Sequence, residues 1–296
     1  MKFFKSAIPF LFFVLMACVD VFGQRPWVNA IPTYYHPSFA GSAGGLRVSS
    51  YSSISLKNYP EQNIYGNQNL ISVDHFIGKI RTGIAMGVGY SKADGQFYKD
   101  KFVEGNLSIA PKISVGGKYT FSPSVQLSVY RDWFSTVPSF SNANMTYINP
   151  YPQTWQTTYA TLKFGLMFNS KKFFIGGAYR NDYTYYETNK MFYNSTKFID
   201  RLEFIAGYTF KKTDESDFSF TPVLLLGNNI YRSNLYLTFK CKKFIAGVDI
   251  FTNLMLGYES KKFRIMYIQK FPFINDNPYS SFNREYRFQL SLQYRF

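Results

Sequence analysis

The chain is short of the residues on which most enzymes depend. Among 296 residues there are two histidines, His36 and His75, and two cysteines, Cys18 and Cys241. So few histidines leave little material for a His-based catalytic group or metal site, and neither has a partner at motif spacing. No HExxH, GxSxG, paired CxxC or phosphate-binding glycine loop occurs. The expectation is a protein that is not an enzyme and that carries no cofactor or catalytic group. Past the N-terminus no run approaches the ~18 apolar residues that a transmembrane helix needs. A mean hydropathy of -0.18 excludes helical spanning only, because a membrane barrel alternates lipid-facing and lumen-facing residues and averages near neutral.

Charge is also scarce, at 17% of residues, yet it is one-sided, with a net charge of +15. Removing Lys2, Lys5 and Asp20 with a leader peptide lowers this to +14. The basic residues are dispersed over strand ends and turns, so nucleic acid is not an expected partner, and anionic lipid headgroups or an acidic partner are. The acids Asp214, Glu215 and Asp217 fall together in a turn, where solvation accounts for them.

The first 23 residues read as an export signal. Lys2 and Lys5 form a basic start, Ala7 to Ala17 an apolar stretch, and Val21-Phe22-Gly23 a cleavage site, leaving Gln24 as the mature N-terminus. Leu15-Met16-Ala17-Cys18 offers a competing lipoprotein box with Cys18 lipidated. After cleavage at Gly23 only Cys241 remains, so no intramolecular disulfide is possible.

Aromatic residues, by contrast, are abundant: 32 Phe and 25 Tyr, 20% aromatic overall, which suits extensive strand and an apolar exterior. From Glu285 to Phe296 the even positions Tyr286, Phe288, Leu290, Leu292, Tyr294 and Phe296 are apolar, and every odd position is polar. Twelve residues of period 2 exceed the ~5 to 6 of soluble strands and approach the ~9 to 11 of a tilted membrane strand. The pattern recurs in Ile84, Met86, Val88 and Tyr90, in Leu162, Phe164, Leu166 and Phe168, and in Phe204, Tyr208 and Phe210. Gly83, Gly87 and Gly89, at strand spacing, read as room on the lumen face.

The expected fold is all-β, a transmembrane antiparallel barrel of about 14 strands over 46–296, preceded by a signal peptide at 1–23 and a periplasmic segment at 24–45. The strands are expected near 46–56, 67–78, 80–92, 102–120, 125–134, 157–169, 172–182, 197–211, 217–227, 231–240, 242–250, 252–260, 261–271 and 284–296. Strand parity then sorts the connections. Short ones fall on the side of the chain ends, at Gly78-Lys79, Phe121 to Ser124, Asn169 to Lys172, Lys211 to Ser216, Cys241 and Glu259 to Lys262. Long ones fall on the other side, at Lys57 to Gly66, Ala93 to Lys101, Ser135 to Gln156, Tyr183 to Thr196 and Pro272 to Asn283. Short periplasmic turns and long outer loops are the arrangement of outer-membrane barrels.

The outer loops gather Trp133, Tyr147, Tyr151, Trp155, Tyr185, Tyr186, Phe273 and Tyr279 in or beside them. These aromatics are either anchors for a protein partner or an interfacial girdle, and they are the candidate partner-binding residues.

The segment PTYYHPSFAG, Pro32 to Gly41, followed by a Gly-rich entry to the first strand, resembles the mature N-terminus of the PorP/SprF family of type IX secretion proteins, which carries an Asn-Pro-Ala-Tyr-Ala-Gly element. His36-Pro37-Ser38-Phe39-Ala40-Gly41 keeps the Pro, an aromatic, Ala and Gly, and departs at His36 and Ser38. The resemblance implies an outer-membrane barrel that helps secrete or anchor surface adhesins, in systems associated with gliding motility. It implies as partners the adhesins' C-terminal domains, other type IX components and outer-membrane lipid. An outer-membrane channel for small solutes is the alternative, motivated by the small residues of the lumen face.

Overall fold

The computed structural model describes residues 32–59, 62–95, 98–136, 139–140, 147–149, 154–186, 191–194, 202–211, 217–227, 233–249, 253–270 and 284–296. The segment expected as a leader, 1–23, lies outside them.

Fourteen antiparallel strands form a closed barrel. In chain order they are β1 (Arg47–Tyr59), β2 (Gln62–Ile77), β3 (Thr82–Asp94), β4 (Tyr98–Pro111, continued by Ile113–Val115), β5 (Tyr119–Thr136), β6 (Thr154–Asn169) and β7 (Phe173–Tyr186). The second half comprises β8 (Leu202–Tyr208, flanked by Met191–Asn194 and Phe210–Lys211), β9 (Phe218–Leu226), β10 (Asn234–Cys241), β11 (Phe244–Asp249), β12 (Asn253–Glu259), β13 (Phe263–Lys270) and β14 (Arg284–Arg295). β14 pairs with β1 from Arg47↔Arg295 to Asn58↔Arg284, which leaves no sheet edge unpaired at this seam. The N–H of Phe296 donates to the Leu46 carbonyl at 3.0 Å, so strand entry and chain end lie side by side.

The alternation is realised as lipid face and lumen face. On β14, Leu290, Leu292 and Tyr294 are exposed while Gln289, Ser291 and Gln293 are buried. Met86 and Val88 on β3, Phe164 and Leu166 on β6, and Phe204 on β8 likewise point outward. Such an apolar exterior is stable only against hydrocarbon. His75 and Cys241 are exposed, His75 on the outward side of β2.

The structure departs from expectation at the connections. Phe121 to Ser124 is not a turn but the start of β5, because the chain reverses earlier, at Gly116 and Gly117. Both glycines have positive φ, 59° and 68°, a conformation that other residues adopt only with strain. The pairings Ile109↔Val125 and Ile113↔Phe121 set Pro111 opposite Pro123, so two residues without N–H groups share one rung. Lys57 to Gly66 is not a long loop either: β1 runs to Tyr59 and pairs there with Gln62 of β2. Ala93 to Lys101 shortens similarly between Asp94 and Tyr98. Within Ser135 to Gln156, Ser139–Phe140 pairs with Tyr147–Asn149 as a small separate hairpin. Tyr183 to Tyr186 pairs with Met191 to Asn194, extending the barrel wall. Ile80, expected to open β3, sits instead in a short 3-10 turn, Gly78–Ile80.

Candidate functional site

The lumen is where these strands bring chemistry together, and its end nearest the last strand's C-terminus is occupied by the chain's own N-terminal segment. Pro32–Tyr35 forms one helical turn and Pro37–Phe39 a 3-10 turn. His36 caps the second: its Nδ1 accepts the Ser38 N–H at 3.2 Å. An imidazole nitrogen thus takes the place of the carboxamide oxygen that Asn offers at an N-cap, which accounts for His36 where the family element has Asn. Because Nδ1 accepts, Nε2 carries the proton and donates to the Gly177 carbonyl at 3.0 Å. Burial pushes the imidazole pKa down to about 4. Lys163 and Lys112 push the same way, and the Gly177 hydrogen bond and Glu203 oppose them.

The rest of the segment is fastened on several sides. Ser38 donates to the Ser122 carbonyl at 2.9 Å and lies 2.7 Å from Ser124 Oγ. Lys112 Nζ donates to the Ser38 carbonyl at 2.5 Å. The Gly41 N–H donates to Asp74 at 3.1 Å, and Asp74 also holds Arg47 at 2.6 Å, both side chains buried. Thr33 and Ser72 hydroxyls meet at 3.4 Å, and Phe39 packs edge-on against Phe174. Glycine on the lumen face makes this docking possible. A Cβ at Gly83 would stand 2.0 Å from the Ala40 carbonyl oxygen, and one at Gly165 would stand 2.8 Å from the His36 ring. Gly83 was legible as room in the lumen; the occupant of that room was not.

Above this plug the lumen keeps a polar cavity of about 90 Å³, lined by Tyr34, Glu104, Tyr130, Lys163, Arg180 and Glu203 among others. At ~30 Å³ per water this is space for about three molecules. Lys163 on β6 and Glu203 on β8 form a buried ion pair at 2.5 Å. They reach across β7 because the residue between them is Ala178, in register with Gly165 on one side and Glu203 on the other. Arg180 pairs with Asp182 at 2.8 Å. Sequence reasoning did not single out Lys163 and Glu203, since no local spacing relates residues on two strands separated by a third. Among the described residues no group of three or more His, Cys, Asp or Glu is placed to hold a metal ion.

The candidate partner-binding aromatics are only partly brought together. Trp133 and Trp155 lie on neighbouring strands, one register step apart, Trp133 opposite Gln156 and Phe134 opposite Trp155. Trp155 shares the lumen parity of Thr157, Thr161 and Lys163, stacks on Phe134 at 5.5 Å and is 37% exposed. Trp133 has the outward parity of Leu127 and Val129 and lies under the Arg131 guanidinium at 5.2 Å. Tyr185 and Tyr186 end β7, and Tyr147 opens one arm of the small hairpin. Tyr151, Phe273 and Tyr279 lie outside the described residues.

Comparison with known proteins agrees with this architecture. Among solved structures, the toluene transporter TbuX of Ralstonia pickettii superposes with a TM-score of 0.57 at 11% identity, covering 94% of this chain and 99% of that one. A TodX deltaS2S3 mutant, a monoaromatic hydrocarbon channel, gives 0.51 at 8% identity, with 88% and 92% covered. At these identities the likeness shows the outer-membrane barrel fold alone. No curated protein sequence matches. The family described as type IX secretion system membrane protein PorP/SprF matches residues 28–294, from just before the plug to the last strand, and the chain belongs to that family.

Proposed function

We propose that this barrel serves its secretion system as a non-enzymatic outer-membrane component that helps secrete or hold a surface adhesin, gripping the adhesin's C-terminal domain at the outer mouth. The observation that carries this reading is the plug. Hydrogen bonds from Thr33, His36, Ser38 and Gly41 fasten the segment to the barrel wall inside one end of the lumen. A barrel filled in this way offers a polypeptide no obvious route through itself, whereas an anchor or docking partner needs only an outer surface. Trp155, exposed at the lumen mouth beside Phe134, and Trp133 on the outward face are the described residues on which such a surface would be built. Tyr147, Tyr151, Tyr185, Tyr186, Phe273 and Tyr279 are proposed with them, and residues 1–23 as the export signal.

Deletion of the gene is expected to abolish surface display of a partner adhesin. The Trp155→Ala variant is expected to lower display while the barrel itself remains in the membrane at its normal level. Undiminished display in the deletion strain would sink the proposal. Steady conductance of the wild-type barrel in a planar bilayer would favour a solute channel instead. Mass measurement of the mature N-terminus tests the leader, with Gln24 expected as the first residue and lipidated Cys18 as the contrary result.

A further inference from the structure

The cavity above the plug contains one charge that the lumen does not balance. Lys163 has Glu203 and Arg180 has Asp182. Glu104 is 3% exposed, its Oε1 has no hydrogen-bond partner among the described residues, and no ion pair to them involves it. Burial of a lone carboxylate is costly unless a counter-ion meets it or a proton neutralises it. The fold makes space for this group: Gly89 stands opposite Glu104 in register, and a Cβ there would come within 2.6 Å of its Cγ and Oε1. Tyr34 from the plug and Tyr130 from β5 also line the cavity, Tyr130 being stacked on Phe102 at 5.4 Å.

We propose that this cavity binds one organic cation, a primary ammonium or guanidinium group, with Glu104 as its counter-ion and the rings of Tyr34 and Tyr130 as flanking faces. An unpaired carboxylate in a cavity that two tyrosines also line suits such a cation, which gains from a ring face as well as from the charge. It does not suit calcium, which takes six to eight oxygen ligands. Space for about three waters admits an ammonium or guanidinium head and little more. Because Tyr34 belongs to the plug, a bound cation also ties the plug to β4 and β5. The inference does not depend on the adhesin reading.

The cation that fits this space is a small free amine or guanidine. Calorimetric titration of the full-length barrel in detergent micelles with methylammonium and guanidinium chlorides, against sodium chloride at equal ionic strength, tests the proposal. Saturable binding to the wild type, about tenfold weaker in Glu104→Gln, identifies a free ligand. Gly89→Ala, which crowds the carboxylate without removing it, is expected to weaken binding as well and stands in if Glu104→Gln fails to fold. The proposal is overturned if the wild type binds neither probe. It is equally overturned if Glu104→Gln binds as well as its parent. A protonated-carboxyl infrared band that persists in the presence of probe and is absent from Glu104→Gln also overturns it.

Discussion

The two walls of the lumen obey the same alternation and are filled in opposite ways. From β8 to β13 large apolar residues dominate the inner face: Ile205, Val223, Leu225, Tyr236, Ile245, Met255, Met266 and Ile268, packed in one buried cluster with Tyr51, Leu70 and Met167 of β1, β2 and β6, while Glu203, Ser219, Thr238 and Asp249 are buried beside them. From β3 to β7 small and charged residues predominate on the inner face, with Gly83, Gly87, Gly89, Ser122, Ser128, Gly165 and Ala178 beside Glu104, Lys163 and Arg180, and with Tyr130 and Met167 as the large exceptions. Side-chain volume makes the difference. The apolar wall fills its half of the lumen by itself, as a soluble core does. The small-residue wall leaves a space that the Pro32 to Gly41 segment and the cavity occupy. One barrel therefore combines a self-packed half with a half that hosts a guest.

The contrast is broken most forcefully at Lys163. Replacing it with Met leaves Glu203 buried without its lysine, and loss of one partner of a buried pair costs about 3–5 kcal/mol. Removing both charges in Lys163→Met with Glu203→Leu is expected to return stability to within about 1 kcal/mol of the parent, because the second change removes the buried charge. On the other wall Met255→Ala, at a position with no exposed surface, costs about 2–4 kcal/mol through the cavity it creates. Denaturant titration in detergent micelles, followed by tryptophan fluorescence, measures all three. If the double variant is no better than Lys163→Met, the polar wall is not organised around this pair.

A smaller effect separates the guest from its host by pH. His36 has a pKa of about 4 in the docked plug, below its ordinary 6.5, so the undocked segment takes up protons more readily between those values. Docking is fully favourable above about pH 6.5 and weakens as the pH falls toward 4. Below that both states are protonated and nothing further is lost. The loss is at most about 3 kcal/mol. Hydrogen exchange of the peptide spanning 36–41, corrected for intrinsic rates, is expected to report it between pH 7.5 and 4.5. His36→Asn, which keeps an N-cap acceptor and does not titrate, is expected to flatten the profile. A flat wild-type profile would show that His36 is protonated at little cost.

The lipid face was legible from the period-2 pattern, because hydrocarbon on one side imposes a rule on every second residue, whereas the apolar inner wall was not, because apolar residues on both faces blur that alternation. That rule ends where the strands leave the bilayer. Tyr59↔Gln62 and Tyr186↔Met191 therefore pair in segments that read as loops, since strands with water on both faces need no alternation. The reversal at Gly116 was missed because Phe121 to Ser124, with its proline, resembles a turn, whereas two adjacent positive-φ glycines made the real one. The plug was visible as a motif and invisible as a location. Its bonds join residues far apart in sequence, 141 positions in the case of His36 and Gly177, and nothing periodic announces them.

The smallest expected effect tests the seam between the walls, which is the closing strand. Ser291 has no exposed surface, its Oγ has no hydrogen-bond partner among the described residues, and in register it faces Tyr51 of β1 on one side and Met266 of β13 on the other. A buried hydroxyl in that position has lost its water and gained nothing in exchange, so Ser291→Ala is expected to be neutral or to stabilise by up to about 1 kcal/mol. Ser38→Ala provides the opposite case. Its hydroxyl is bonded to Ser122 and lies beside Ser124, and its loss is expected to cost about 1 kcal/mol of plug docking. The first variant is read by the same denaturant titration and the second by exchange of the 36–41 peptide. If Ser291→Ala destabilises by more than about 1 kcal/mol, β14 belongs to the hydrogen-bonded polar wall, and the boundary between the two halves moves to β13.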